Sequence, residues 1–164
     1  MKHGLRPVFA RDSTVLILGS LPGDESLARQ QYYGHPQNQF WRLLDEVADL
    51  PLMTQDYAAR LATLQRAGIA LWDVVAHAER KGSLDSALRH PVGNDLMPLI
   101  GQLPVLRLVA FNGAVAAKFG ERLLSDMPRL AQIRLPSSSA AYTRPFAEKL
   151  ALWHAIRPHL RAAV

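Results

Sequence analysis

Thr14-Val-Leu-Ile-Leu18 is an unbroken apolar run, rich in β-branched residues and closed by Gly19. It is short for a helix and has no polar face, so it reads as a strand of a parallel sheet, buried on both faces. Three more segments fit beside it: Ile69–Val75, whose apolar run Asp73 interrupts, Arg107–Phe111, and Ala131–Leu135. Between them lie helical periods. Phe40, Leu43, Leu44 and Val47 recur at i, i+3, i+4, i+7 in a helix that begins near Gln37, and Gln55–Ala67 carries Tyr57, Leu61 and Leu64 on one face before Gly68 stops it. Ala114–Leu124 is a helix of small residues able to approach a sheet closely, and Phe146, Leu150, Trp153, Ile156 and Leu160 form the stripe of a last helix over about 145–160. Asn94 is a candidate cap for a helix over Asp95–Gln102, and His77–Asn94 has no clear period and reads as a surface loop with a helical turn or two. Strands alternating with helices imply an α/β fold with a parallel sheet covered on both faces, and 164 residues suit one domain spanning 1–164.

The segment after the first strand, from Gly19 to Pro36, is longer than a connection between packed elements requires, and loops of that kind are commonly functional. It carries Tyr32, Tyr33 and His35 and leads into the amphipathic helix. Polar residues thus gather at the carboxyl ends of strands, where open α/β sheets place their ligands: Gly19–Gly23, Asn112-Gly113 and Pro136–Ser139. The hydroxyls and free N–H groups of the last of these suit phosphate. Nineteen basic against fourteen acidic residues give a net charge of +5, which suits a polyanionic partner. A solvated basic surface is the competing explanation.

Several classes drop out. The chain has no cysteine, which removes disulfides, thiolate metal sites and a cysteine nucleophile. None of the six histidines falls in a metal-binding pair, so neither metal nor cofactor is expected. No apolar run reaches the roughly 18 residues of a membrane span, and the N-terminus lacks a signal-like stretch, so the expectation is a cytoplasmic, monomeric protein with no membrane contact. Gly19-Ser-Leu-Pro-Gly23 is neither a P-loop nor a dinucleotide fingerprint, and no nucleophile elbow is present.

Taken together, Gly19-Ser-Leu-Pro-Gly23, His35-Pro-Gln-Asn-Gln-Phe-Trp41 and Leu135-Pro-Ser-Ser-Ser139 resemble the motifs of the uracil-DNA glycosylase superfamily, with spacing to match. Leu21 in the first motif and Asn38 in the second bring the chain closest to the hypoxanthine-DNA glycosylase branch. The resemblance runs from Val15 to the final helix. It implies a three-layer α/β/α sandwich around a central four-stranded parallel sheet, no metal, and excision of deaminated bases from double-stranded DNA, hypoxanthine first and uracil second. A DNA-binding module that has lost catalysis is the alternative, and a hydrolase using Ser20 or Ser138 a distant third.

Residue by residue, the resemblance implies Asn38 and Asn112 as catalytic groups, Asn38 placing the water and Asn112 also reading the base edge. Gly19, Ser20, Leu21, Tyr33 and Phe40 would bind the flipped base, with Tyr33 stacking on it. Pro136, Ser137, Ser138 and Ser139 would press the minor groove and phosphates. Leu21 supplies no water-binding side chain, and Leu135 stands where several branches carry a His or Asn that steadies the developing base anion. Ser139 and Ala140 occupy the place of a bulky wedge in other branches. On the residues alone, Tyr33 equally packs against the following helix, Asn38 serves a helix start, and Asn112 adopts a strand-end conformation. Asp73 either orients the pocket loops or makes a buried cap or ion pair, and Arg80, Lys81 and Arg89 form either a solvated face or a DNA-backbone contact.

Overall fold

Alternation along the central strand divides the interior in two. In the computed structural model, which describes residues 1–161, Val15 and Ile17 point to one face of the sheet and Leu16 and Leu18 to the other, all fully buried. In chain order the elements are β1 (Lys2–His3), β2 (Val15–Gly19), α1 (Asp24–Arg29), α2 (Phe40–Ala48), α3 (Tyr57–Ala67), β3 (Ile69–Asp73), β4 (Val75–Glu79), β5 (Arg89–Gly93), α4 (Met97–Gly101), β6 (Leu108–Asn112), α5 (Ala114–Leu123), β7 (Ala131–Leu135) and α6 (Phe146–Trp153). Short 3-10 turns lie at Leu52–Thr54, Asp85–Ala87 and His154–His159.

Four strands form a parallel sheet in the order β3-β2-β6-β7. Phe40, Leu43, Leu44 and Val47 of α2, Leu64 of α3 and Trp153 of α6 cover one face, while Leu99 of α4 and Ala116 and Ala117 of α5 cover the other. This is the expected α/β/α sandwich. The small residues of α5 matter: a Cβ on Gly120 would sit 2.3 Å from Cε1 of Phe111, so only glycine lets this helix lie so close to β6. Among the described residues no helix is long and apolar enough to cross a membrane.

Five local expectations change. The long first loop contains α1, whose six residues are too few to show an amphipathic period but carry Asp24 and Glu25 in the first turn, where the helix dipole favours acids. The helix expected from near Gln37 starts at Phe40, because Asn38 and Gln39 are bound elsewhere. The strand read as Ile69–Val75 is two strands: after Asp73 the chain turns out of the parallel sheet, with Val74 and Val75 N–H donating to the carbonyls of Gly19 and Ser20 at 2.8 and 3.0 Å. It then enters a second, antiparallel sheet ordered β1-β4-β5. The supposed loop 77–94 therefore holds most of β4 and all of β5, whose exposed Arg-His-Pro-Val-Gly sequence lacks alternation and tolerates proline because it lies at an edge. At the C-terminus, α6 ends at Trp153 and continues as a 3-10 turn containing Pro158.

Candidate active site

Parallel strands in register end together. Gly19 pairs with Asp73, Leu18 with Phe111, and Asn112 with Leu135, so Asp73, Gly19, Asn112 and Leu135 form one row across the carboxyl edge of the sheet. The first three line a cavity of about 370 Å³, a size suited to a small ligand. The first loop, Tyr33, His35 and Asn38, the start of α5 at Ala114 and Val115, and Ser137 to Ser139 complete its walls on one side. Ser83, Leu84 and Asp85, from the connection between β4 and β5, close it on the other.

Backbone donors fix both asparagine side chains. The Ser138 N–H donates to Asn112 Oδ1 at 2.9 Å, and the Phe40 N–H donates to Asn38 Oδ1 at 3.0 Å. An N–H can only donate, so the oxygen of each amide is identified. Between them, Asn112 Nδ2 donates to Ser138 Oγ at 2.9 Å, and that hydroxyl donates on to Asn38 Oδ1 at 2.8 Å. Residues from β6, the loop after β7 and the entry to α2 are thereby linked by one chain of hydrogen bonds. Asn38 Oδ1 is occupied twice, which leaves Nδ2 as the free end of its side chain.

Tyr33 stands over this network with a φ of 52°, a left-handed conformation that costs free energy for an aromatic residue and is found where surroundings enforce it. One face of its ring stacks on Phe40, with centroids 3.8 Å apart and planes 18° from parallel. Its hydroxyl is buried beside Asn112 without a hydrogen bond of acceptable geometry, and burial together with the Asp73 charge pushes its pKa far up. The phenol therefore stays neutral. Asp73 is only 3% exposed, and its Oδ2 has no partner among the described residues. Burial first, then repulsion from Asp85, raise its pKa to about 7. A Cβ on Gly19 would lie 2.6 Å from Asp73 Oδ1 and 3.0 Å from the Tyr33 hydroxyl, so glycine there lets both groups overhang the strand end. Asp85, whose pKa burial also raises, accepts from Ser20 Oγ at 2.6 Å, an interaction that opposes the rise.

A model of the uracil DNA glycosylase superfamily matches residues 7–161. The chain belongs to the uracil DNA glycosylase superfamily. It is 40% identical over 159 residues to a hypoxanthine DNA glycosylase of Methanosarcina acetivorans, covering 97% of this chain and 99% of that one. It is 41% identical over 139 residues to a hypoxanthine DNA glycosylase of Methanosarcina barkeri, covering 85% and 87%. A solution NMR structure of a Methanosarcina acetivorans protein, provisionally described as a uracil DNA glycosylase, superposes with a TM-score of 0.86 at 40% identity, covering 96% and 97%.

Within this superfamily member the structure brings Gly19, Ser20, Leu21, Tyr33, Asn38, Asn112, Ser137, Ser138 and Ser139 around one cavity. Two expected site residues lie elsewhere, and one has a different task. Phe40 is fully buried behind Tyr33 and does not line the cavity, because its place on the inner stripe of α2 commits it to the core. Pro136 is absent from the cavity wall, and its carbonyl accepts from Trp153 Nε1 at 2.9 Å. Ser138 is 1% exposed and its hydroxyl is shared between two asparagines, so it is not free to meet a phosphate. Neither Ser20 nor Ser138 passes its proton to a histidine, which removes the support for a serine hydrolase.

Arg80 is neither solvated nor positioned as a DNA contact. It is buried and donates to the carbonyls of Leu21, Pro22 and Gly82 at 3.3, 2.6 and 2.9 Å, pinning the first loop to the β4–β5 connection. Ser83 Oγ, accepting from Asp24 N–H at 2.9 Å, adds to that seam. Asn94 does not cap α4: its Nδ2 donates to the Asp73 carbonyl at 2.8 Å, and the helix starts after Leu96. Asp85 was missed because nothing in a loop sequence tells that a separate sheet will fold it against Ser20. Asp73 carried a signal, an acid inside an apolar run.

Proposed function

We propose that this protein is a DNA glycosylase that hydrolyses the N-glycosidic bond of a deaminated base flipped out of double-stranded DNA, with hypoxanthine the first substrate and uracil the second. The observation that carries the reading is the hydrogen-bonded chain Asn112–Ser138–Asn38 beside Tyr33 in the wall of one cavity. It agrees with the names of the two archaeal relatives. Cleaving such a bond passes through an oxocarbenium-like sugar, which needs a placed water and stabilised charge rather than a strong nucleophile. A base must leave the stack to enter the pocket. In this reading Tyr33 is the stacking platform, and its packing on Phe40 holds the ring rigid. Asn112 reads the base edge with the remaining Nδ2 hydrogen, and Gly19, Ser20 and Leu21 form the wall beside it.

Asn38 places the water through its free Nδ2. An amide N–H can hold a water by one lone pair and leave the other to attack, but it cannot take the water's proton. The start of α5 opens on the same cavity through Ala114 and Val115, and the positive end of a helix favours negative charge there. Ser137 and Ser139 meet the DNA backbone, and the enzyme works as a monomer in the cytoplasm without a cofactor.

A duplex carrying deoxyinosine, incubated with excess protein and treated with alkali, tests the activity. Strand cleavage is expected, with a parallel deoxyuridine duplex cut more slowly. Binding without cleavage would replace the enzyme with a DNA-binding module, and binding itself should weaken steeply with salt as counterions are released.

A further inference from the structure

The departing base carries away the electrons of its bond to the sugar, and the site must meet that charge. Leu135, the last residue of the row, is apolar and buried, so β7 offers no side-chain donor at this end of the row. At the other end of the row Asp73 lines the cavity, and its buried Oδ2 has no partner among the described residues. A carboxyl kept for structural reasons is normally hydrogen-bonded or ion-paired when buried, because an unpaired one is costly. Here, among the described residues, the side-chain hydrogen bond that reaches Asp73 goes to its backbone carbonyl, from Asn94. Its Oδ1 lies so close over Gly19 that a Cβ there would come within 2.6 Å of it, at the strand end that lines the cavity.

We propose that Asp73 is the acid of this reaction: its protonated carboxyl gives a proton to the departing base and recovers one from the attacking water. The inference rests on the glycosylase reading. The bond from the sugar to the base nitrogen breaks with both electrons going to the base, the Asp73 proton passes to a ring nitrogen or oxo group, and the base leaves neutral. Water then bonds to the sugar carbon and releases a proton, which returns to the aspartate. The sum is one water consumed, one base and one abasic sugar formed, and Asp73 restored.

The surroundings keep the proton available at neutral pH. Asp85, from the β4–β5 connection, repels the carboxylate form, while Tyr32 and Tyr33, from the first loop, are neutral phenols that feel the Asp73 charge. Among the described residues no cation offsets these effects, and the pKa of about 7 lies where a general acid works best.

Asp73→Asn keeps the shape and can donate a hydrogen bond but cannot release a proton. With enzyme in saturating excess over a deoxyinosine duplex, excision should fall by about 10²-fold or more, while affinity for the duplex changes little. The wild-type rate should fall as pH rises through about 7, and this alkaline limb should vanish in the variant. Bases that depart readily as anions should lose less from the substitution than hypoxanthine. An excision rate within a few-fold of wild type, with the same pH profile, would overturn the proposal and leave the base to depart as an anion facing α5. Should Asp73→Asn fail to fold, Asp85→Asn decides: removing the repelling charge should move the alkaline limb to lower pH, and an unmoved limb would overturn the assignment. A wild-type protein that releases no base from any duplex would instead defeat the glycosylase reading.

Discussion

Asp73 should make the folded protein less stable as pH rises, and Asp73→Asn should relieve that. Its folded pKa is about 7 against an ordinary value of 3.8, so between these values the folded state binds more protons than the unfolded one. Stability therefore declines with increasing pH across that window, is unaffected by this group below about pH 4, and carries the whole cost above about pH 7. The gap corresponds to roughly 4 kcal/mol at 1.36 kcal/mol per pH unit. Solvent entering the open cavity reduces this, so about 2–4 kcal/mol is the range to expect. Urea unfolding of wild type and Asp73→Asn at pH 4.5, 6 and 8 measures it. The variant should gain on the wild type by that amount between the lowest and highest pH, with unchanged m-values. In thermal melts at pH 8 the difference is roughly 5–15 °C for a domain of this size. A stability difference that stays constant across the three pH values would refute the reasoning, since it would mean that the carboxyl titrates alike in both states. The experiment is independent of activity and holds for a protein that never meets DNA.

Asn38→Ala should lower single-turnover excision by about 10²-fold or more with little change in duplex affinity, because water placement acts in the transition state; if Asn38→Ala turns over normally and Asn112→Ala does not, the water belongs to Asn112. Ser138→Ala deprives both asparagines of a partner and should cost about 1–3 kcal/mol in urea unfolding, together with a loss of excision, whereas a serine used only for phosphate contact would change affinity alone. Arg80→Ala should slow excision and destabilise the fold by about 1–3 kcal/mol, and Arg80→Lys should restore little, since an ammonium lacks the planar fork that spans the carbonyls of Leu21, Pro22 and Gly82.

The architecture was legible in the chain because burial on both faces leaves an unambiguous signal. Val15–Leu18, Leu108–Phe111 and the stripes of α2 and α6 announce the parallel sheet and its covering layers through hydrophobic period alone. Spacing also brought three loops to one edge of that sheet, and with them Gly19, Tyr33, Asn38, Asn112 and the serine loop. Period is silent where burial is one-sided or partial. The exposed β5 and the six-residue α1 show no pattern that a loop would lack, so the second sheet and its wall of the cavity came only with the folded chain.

Side-chain roles divide in the same way. The resemblance made Asn38, Asn112 and Ser138 candidates, but only the fold set Ser138 between the two amides and so took it from the DNA surface. Phe40 looked like part of an aromatic pocket, and the helix phase turned it into the support behind Tyr33. Arg80 looked like a surface charge until three carbonyls, two of them almost sixty residues away in sequence, converged on it. The sequence by itself determined which groups exist and which strand ends share one edge of the sheet, because those follow from local period and the alternation of strands with helices. Tertiary structure decided which groups lose water and which keep a free atom toward the cavity, because desolvation and hydrogen-bond partnership depend on segments that meet only when the chain is folded. Asp73 shows both: its position in an apolar run marked it as buried, and the approach of Asp85 with the absence of a partner at Oδ2 made it an acid poised near neutral pH.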